Sequence, residues 1–197
     1  LYLEIENADG EKVVITWGEI YYPVHLHEII IAKQVMRIVP SKTKELWPLP
    51  EDSKLIVGTD LITERNISSP SKITVKSFPK SFVTQKGLKP LYSPEIKIFV
   101  NDVEKTQLTR NPEELSELFY QVVFYGRGRG IHKSKSFQGV QLKEILESQI
   151  DMTQDILQKG IIGVVAADGY RGVFAVSEVM NRNDQSEVLL TCDPEKK

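Results

Sequence analysis

Cysteine is almost missing from this sequence, since Cys192 is the only one among 197 residues. A single cysteine excludes an internal disulfide framework and any CxxC metal or redox motif. Long apolar runs are also missing: the longest, such as residues 29–32 and 160–167, fall far short of the roughly 20 residues that cross a bilayer. We therefore expect no membrane span in this chain.

A strong charge of one sign is lacking as well. The formal charge of −2 and the calculated pI near 6.0 provide no general attraction to nucleic acid or anionic lipid. With 41% apolar and 26% charged residues, the composition is that of a soluble globular protein with one sizeable core or two small ones. An anionic small molecule or a protein is a more plausible partner than nucleic acid.

The sequence begins at Leu1, directly inside a strand-like alternation. We expect that residues upstream have been removed, so targeting signals cannot be read from it. Low cysteine use fits either a reducing compartment or a cysteine-poor exported protein, and we favour an exported or periplasmic setting.

An internal repeat is present. Residues 8–32 align without a gap on residues 167–191, at an offset of 159, and six of the 25 positions are identical. The shared positions include Ala-Asp-Gly at 8–10 and 167–169, and Glu19 with Glu178. Asp-Gly between apolar strands is typical of a hairpin turn, so chance similarity of two hairpins is the alternative explanation. Because the match runs well past the turn, we interpret it as two copies of one unit, each reading strand, turn, strand, a Glu-led segment and a buried strand.

Further elements follow from periodicity and turn chemistry. Asn111 and Pro112 predict the start of a helix that carries Leu115, Leu118 and Phe119 inward. Helices are also predicted over residues 140–147, with Leu142, Ile145 and Leu146 buried, and over residues 153–159, ending at Gly160. Strands are predicted over residues 54–60, 72–76 and 96–100, and the prolines and glycine of residues 79–94 predict a linker.

The segment from Phe137 to Leu146, followed by Ala-Asp-Gly-Tyr-Arg at 167–171, resembles the oxidoreductase molybdopterin-binding domain of the sulfite oxidase family. Residues 8–75 resemble the other end of the same domain, through Leu55-Ile56-Val57, Glu64-Arg65 and Lys72-Ile73-Thr74-Val75. The resemblance implies an α+β, sulfite-oxidase-like molybdopterin-binding fold, with mixed sheets and short helices. Residues 1–78 would be the C-terminal part of a first copy and residues 95–197 the N-terminal part of a second. One compact permuted unit is the alternative arrangement.

The metal chemistry of that family depends on one protein thiolate. The resemblance places this cysteine about a dozen residues before the Gly-Val of residues 139–140, where residues 122–132 contain none. A soft metal retains a thiolate ligand for electronic reasons that Arg or His does not reproduce. We therefore assign no catalytic residue, no metal ligand and no cofactor. Molybdopterin is the one cofactor that the resemblance would still allow.

The best candidate for ligand binding is the stretch from Gly126 to Lys133. Three glycines free the backbone for close approach, and four side chains supply donors for a phosphate or carboxylate: Arg127, Arg129, His132 and Lys133. Tyr170 and Arg171, together with Arg65, are added as pocket residues by resemblance. The alternative for the glycine-rich stretch is a solvated loop without a ligand.

Two other groups of side chains have simpler explanations. His25, His27 and Glu28 offer potential metal ligands, but a strand would place only the two histidines on one face. Asp9 and Asp168 are expected to hold turns rather than to act as acids. The leading hypothesis is a non-catalytic binding or interaction module derived from a molybdopterin-binding domain, possessing an anion site. The alternative is a molybdopterin-dependent oxidoreductase of the sulfite oxidase type.

Overall fold

The computed structural model describes residues 1–21, 28–39, 42–85, 87, 93, 95–126 and 130–192. The chain divides into two compact units that do not follow chain order. Unit 1 consists of Leu1–Val83 and Met152–Gln185, and unit 2 of Thr84–Asp151 and Ser186–Lys197. The two Asp-Gly hairpins of the sequence repeat therefore belong to the same unit.

Strands dominate the secondary structure, and the helices are short. In unit 1 the elements are β1 (Tyr2–Asn7), β2 (Lys12–Thr16), α1 (Trp17–Tyr21), β3 (Ile29–Ala32), β4 (Gln34–Val39), β5 (Lys42–Pro48), β6 (Lys54–Val57) and β7 (Pro70–Lys76). In unit 2 they are β8 (Ile96–Val100), β9 (Val103–Leu108), β10 (Glu117–Gly126), β11 (Gly130–Gln141) and α2 (Leu142–Glu147). Unit 1 continues with α3 (Gln154–Lys159), β12 (Ile161–Val165), β13 (Arg171–Ala175) and α4 (Val176–Met180), and unit 2 ends with β14 (Leu189–Leu190).

The first copy of the repeat lies in a three-stranded antiparallel sheet with the order β2, β1, β7. β1 is paired along its length with β2 on one side and with β7 on the other. Alternate residues of a strand point to the same side, and here one side is apolar. It packs against β6 and the loop after it, so that the core consists of Ile5, Val13, Ile15, Leu55, Val57 and Ile67.

The second copy repeats the β1–β2 hairpin and the helix α1 at the same offset. β12 and β13 form an antiparallel hairpin, and α4 follows β13 directly, as α1 follows β2. The side chain of Glu19 accepts the backbone N–H of Thr16 at 2.8 Å, and Glu178 accepts that of Ala175 at 3.2 Å. A glutamate at the third helical position is a recognised cap, which explains why both copies have one there. The predicted hairpin is confirmed in both copies.

The turns of the two hairpins use the same backbone geometry. Gly10 has φ +84° and Gly169 has φ +95°, values that favour glycine over any residue with a side chain. Side-chain oxygens hold the turns: Asn7 Oδ1 accepts the N–H of Glu11 at 2.9 Å, and Asp168 Oδ1 accepts the N–H of Tyr170 at 2.9 Å. The structural role predicted for Asp168 is confirmed, whereas in the first turn Asn7 takes that role rather than Asp9.

The helix predicted over residues 153–159 is confirmed, with Thr153 as its N-cap and Gly160 as its C-cap. Gly160 does not adopt the left-handed conformation usual for a C-cap glycine, since its φ is −64°. A Cβ on Gly160 would lie 2.5 Å from Ile156 O and 2.5 Å from Val176 Cγ2. Glycine is required here because α3 and α4 approach each other closely.

Unit 2 is built on a long hairpin. β10 and β11 pair from Glu117 opposite Val140 to Gly126 opposite Gly130, and β14 pairs with the end of β11. β8 and β9 form a second, shorter hairpin. The helix predicted near residues 140–147 is α2, in which Ile145 and Leu146 are buried, while Val140 lies at the end of β11.

Three predictions about the fold were wrong. No helix begins at Asn111 and Pro112: residues 113–115 form a turn, and Leu118 and Phe119 lie in β10, with Phe119 65% exposed. The sheets are not mixed, because every strand pair in the described ranges is antiparallel. The predicted buried strand at residues 29–32 is β3, whose Ile30 and Ile31 are about half exposed.

Candidate functional site

The structure does not bring the predicted ligand-binding residues into one unit. Arg127 and Arg129 lie outside the described residues. His132 and Lys133 belong to β11 in unit 2, and the description of His132 is limited to its backbone. In unit 1, Tyr170 directly precedes β13 and Arg171 is the first residue of that strand. Gly126 ends β10 and Gly130 begins β11, and these two residues are paired with each other, so the described part of the candidate anion stretch belongs to the β10–β11 hairpin.

Arg171 contacts its own chain. Its Nη1 donates to Lys80 O at 3.3 Å, and its guanidinium lies 5.5 Å from the ring centroid of Phe82, a cation–π distance. Tyr170 is 79% exposed. These contacts hold residues 80–82 against the second hairpin, and the ligand-binding role of Tyr170 and Arg171 stays a prediction.

The described part of the β10–β11 hairpin combines basic and aromatic side chains. Lys133 and Lys135 are exposed and point to the same side of β11. Lys135 Nζ lies 5.3 Å from the centroid of the Phe137 ring, and Phe137 is paired across the hairpin with Tyr120. Residues 127–135 include four Lys and Arg residues and no acidic residue. This end of the hairpin is therefore cationic in a chain whose formal charge is −2.

A buried ionic cluster forms the polar centre of unit 1. Arg65 is completely buried; its Nε donates to Asp60 Oδ2 at 2.8 Å and its Nη1 donates to Val14 O at 3.1 Å. Arg65 Nη2 also forms ion pairs with Asp60 and, at 2.7 Å, with Glu19 Oε1. Burial alone would lower the pKa of Arg65, but these carboxylates raise it, so the guanidinium remains charged.

Glu178 is the equivalent glutamate of the second copy, and its hydrogen bonds differ from those of Glu19. Glu178 Oε2 accepts the hydroxyl of Thr16 at 2.9 Å and the N–H of Ala175. Burial, and after it the charge of Glu19, raises the pKa of Glu178 to about 7. The helix caps of the two copies thus contact each other through Thr16 and Glu178, and Glu178 titrates near neutral pH.

A small cleft lies beside Glu178. Its volume of about 20 Å³ is enough for about one water molecule. The lining residues are polar: Glu19, Thr59, Asp60, Ser177, Glu178, Arg182, Asn183 and Asp184. Thr59 Oγ1 is buried and has no hydrogen-bond partner within the described ranges. The cleft suits a structural water and is too small for an organic substrate.

Sequence reasoning found only part of this cluster. Arg65 was predicted to line a ligand pocket by resemblance, and it instead binds two carboxylates of the protein. Glu19 was marked only by its identity with Glu178 in the repeat. Asp60 was predicted only as the end of the strand over residues 54–60, and no signal in the sequence connects it with Glu19. The cluster stabilises the fold, and its Glu19 and Asp60 also line the small cleft beside Glu178.

Metal ligands are sparse among the described residues. No group of three or more His, Cys, Asp or Glu side chains has a geometry that would hold a metal there, and His25 and His27 lie outside those ranges. Cys192 donates its backbone N–H to Asn111 Oδ1 at 2.8 Å. Burial raises the pKa of its thiol, which disfavours the thiolate that binds a soft metal.

Within the same ranges, no helix is long and apolar enough to cross a membrane.

Comparison with known proteins adds no relative: no family model, no curated protein and no solved structure matches this chain. The functional class must therefore be argued from the residues themselves.

Proposed function

We propose that this chain is a non-catalytic binding module derived from the molybdopterin-binding domain of the sulfite oxidase family, and that its β10–β11 hairpin binds an anionic ligand. The observation that carries the proposal is the cationic end of this hairpin, where Lys133 and Lys135 are exposed beside Phe137. In sequence they follow Arg127 and Arg129, with glycines at 126, 128 and 130.

Charge and backbone both favour an anion at this place. Arg and Lys donate charge-assisted hydrogen bonds to phosphate, sulfate and carboxylate. Glycines allow consecutive backbone N–H groups to form a concave anion site. A ligand that combines an anionic group with a flat ring would also gain contact with Phe137.

The donor set explains why the proposed module has no molybdenum chemistry. Residues 122–132 contain no cysteine. Cys192, the single thiol of the chain, follows β14 and has a raised pKa. The residues present do not fit a metal that requires a protein thiolate, whereas they fit the anionic part of such a cofactor.

The proposal is tested by calorimetric titration of the 197-residue chain with pyrophosphate at low salt. Replacing Arg127, Arg129, Lys133 and Lys135 together by alanine should weaken binding at least tenfold. The matched control replaces Lys97 and Lys105, exposed lysines of β8 and β9 in the same unit, and should change affinity less than twofold.

Two results would contradict the proposal. The parent chain would show no heat of binding for pyrophosphate or sulfate, or the control would lose as much affinity as the hairpin variant. Stoichiometric molybdenum in protein purified from a molybdopterin-producing host would instead support the oxidoreductase alternative.

A further inference from the structure

The two copies of the repeat differ at one sheet edge. β1 pairs with β7 from Tyr2 opposite Lys76 to Asn7 opposite Pro70. The repeat offset maps β1 onto β12, which pairs with β13 and, within the described ranges, with no strand on its other side. The second copy therefore presents the edge that β7 covers in the first.

The adjoining face of the second hairpin is less buried than that of the first. Ile5 of β1 is 3% exposed, but Val164, its counterpart in β12, is 50% exposed. Ile15 is fully buried, whereas its counterpart Phe174 is only partly buried. In the first copy this face packs against Leu55, Val57 and Ile67, which follow it in sequence. Edge and face together form one surface that the first copy buries and the second leaves accessible.

The opposite face of the second hairpin already has a cover. A Cβ on Gly163 would lie 2.6 Å from the Phe78 ring, and Arg171 contacts Lys80 and Phe82. Residues 78–82 therefore occupy this side of β12 and β13. A further strand has only the free edge and the Val164 side available to it.

We infer that the outer edge of β12, with Val164 beside it, binds an extended β-branched segment of a partner polypeptide, which adds a strand where β7 lies in the first copy. An unpaired edge presents a row of N–H and C=O groups that pair readily with another strand. Main-chain hydrogen bonds then provide affinity, and the pockets for alternate side chains provide specificity. This surface lies in unit 1, so the inference does not rest on the anion site of the β10–β11 hairpin.

The side chains that flank the edge determine the chemistry of the partner. Lys76 Nζ lies 2.8 Å from Glu4 Oε2, and Lys72 Nζ lies 3.7 Å from Glu6 Oε2. Gly163 and Val165 stand at the equivalent positions of β12. At these two positions β12 therefore offers no carboxylate to the lysines of an added strand. The partner segment is accordingly uncharged at these two positions, and it carries β-branched or aliphatic residues opposite Ile162 and Val164.

The probe is a peptide with the sequence of residues 68–76 and the substitutions Lys72→Thr and Lys76→Thr, labelled for fluorescence anisotropy. It should bind the 197-residue chain several-fold more tightly than the same peptide with both lysines retained. Hydrogen exchange should slow at least tenfold at the amides of Ile161–Val165 when the peptide is bound.

Matched variants locate the site. Val164→Asp should weaken binding of the neutral peptide at least tenfold, whereas Val75→Asp, on a β7 residue that is 60% exposed, should leave the affinity within twofold. Both variants replace an exposed valine, and circular dichroism and thermal midpoint verify that each remains folded.

Four results would overturn the inference. They are the absence of peptide binding, protection that appears at β1 instead of β12, equal or tighter binding of the lysine peptide, and a concentration-dependent dimer that occupies β12 without peptide.

Discussion

The two hairpins of unit 1 have the same local pattern and different surroundings. Each has an Asp-Gly turn with a left-handed glycine, and each leads into a short helix capped by a glutamate. The first hairpin packs against β6 and Ile67 and pairs with β7, and its apolar face is buried. In the part of the chain that the structure describes, the second hairpin pairs with no third strand, and its equivalent face is only partly buried. The comparison teaches that local turn and cap chemistry forms this unit, whereas the segments that follow in sequence decide whether it is enclosed.

The same difference appears in the electrostatics of the caps. Glu19 has Arg65 as a buried partner. Glu178 has the hydroxyl of Thr16 and the neighbouring charge of Glu19, and its pKa is raised to about 7. One cap belongs to a charged network, and the other carries a proton that leaves near neutral pH.

The largest effect is expected from removal of the arginine that distinguishes the first copy. Arg65→Met leaves Glu19 and Asp60 buried without their cation, and should destabilise unit 1 by about 3–5 kcal/mol. Urea denaturation followed by circular dichroism measures this change. The control Arg110→Met removes an exposed arginine paired with Glu113 and should change stability by less than about 1 kcal/mol. Equal effects of the two substitutions would show that Arg65 is not buried as described.

Matched truncations of the two hairpins sharpen the comparison of their faces. Ile5→Ala removes a side chain that is 3% exposed and should cost about 2–5 kcal/mol. Val164→Ala, at the equivalent position and 50% exposed, should cost less than about 1 kcal/mol. The free energies of unfolding come from urea titrations of the two variants and the parent. Similar costs would mean that both faces are enclosed.

Glu178 predicts a smaller effect that depends on pH. Its pKa in the folded state, about 7, lies above the ordinary value of 4.5, so the folded state favours the protonated carboxyl. The stabilisation is fully present below about pH 4.5 and is lost as pH rises through 7, a change of about 1–3 kcal/mol.

Denaturation of the parent and of Glu178→Gln at pH 5 and pH 8 isolates this contribution. The parent should lose more stability than the variant between these pH values. Glu113→Gln, at a residue whose side chain is 76% exposed, serves as the control and should follow the parent. An unchanged pH dependence in Glu178→Gln would assign the titration to another group.

The sequence predicted those parts of the fold that depend on short-range chemistry. The two Asp-Gly hairpins, the helix capped by Thr153 and the helix with Ile145 and Leu146 buried are examples. Their signals are turn residues, caps and apolar spacing, all of which act within a few residues. The predicted role of Gly160 was right in position and wrong in mechanism, because the close approach of Val176 is a tertiary contact.

The failures are tertiary in origin. Asn111 and Pro112 are good helix starters, but the β-branched and aromatic residues that follow pair with β11 over ten residues, and this pairing prevails over a local preference. The buried cluster was missed because Glu19 is distant in sequence from Asp60 and Arg65 and meets them only on folding. The β4–β5 hairpin was not predicted, because proline, which usually marks turns and connections, stands at positions 40 and 48 of this stretch.

Amide hydrogen exchange of the free chain, followed by mass spectrometry, tests the difference between the two copies most directly. Among the described residues β1 is paired on both sides and β12 on one, so the amides of Leu3–Glu6 should exchange at least tenfold more slowly than those of Ile162–Val165. Equal protection of the two segments would contradict the account, because it would mean that the second hairpin is as fully enclosed as the first.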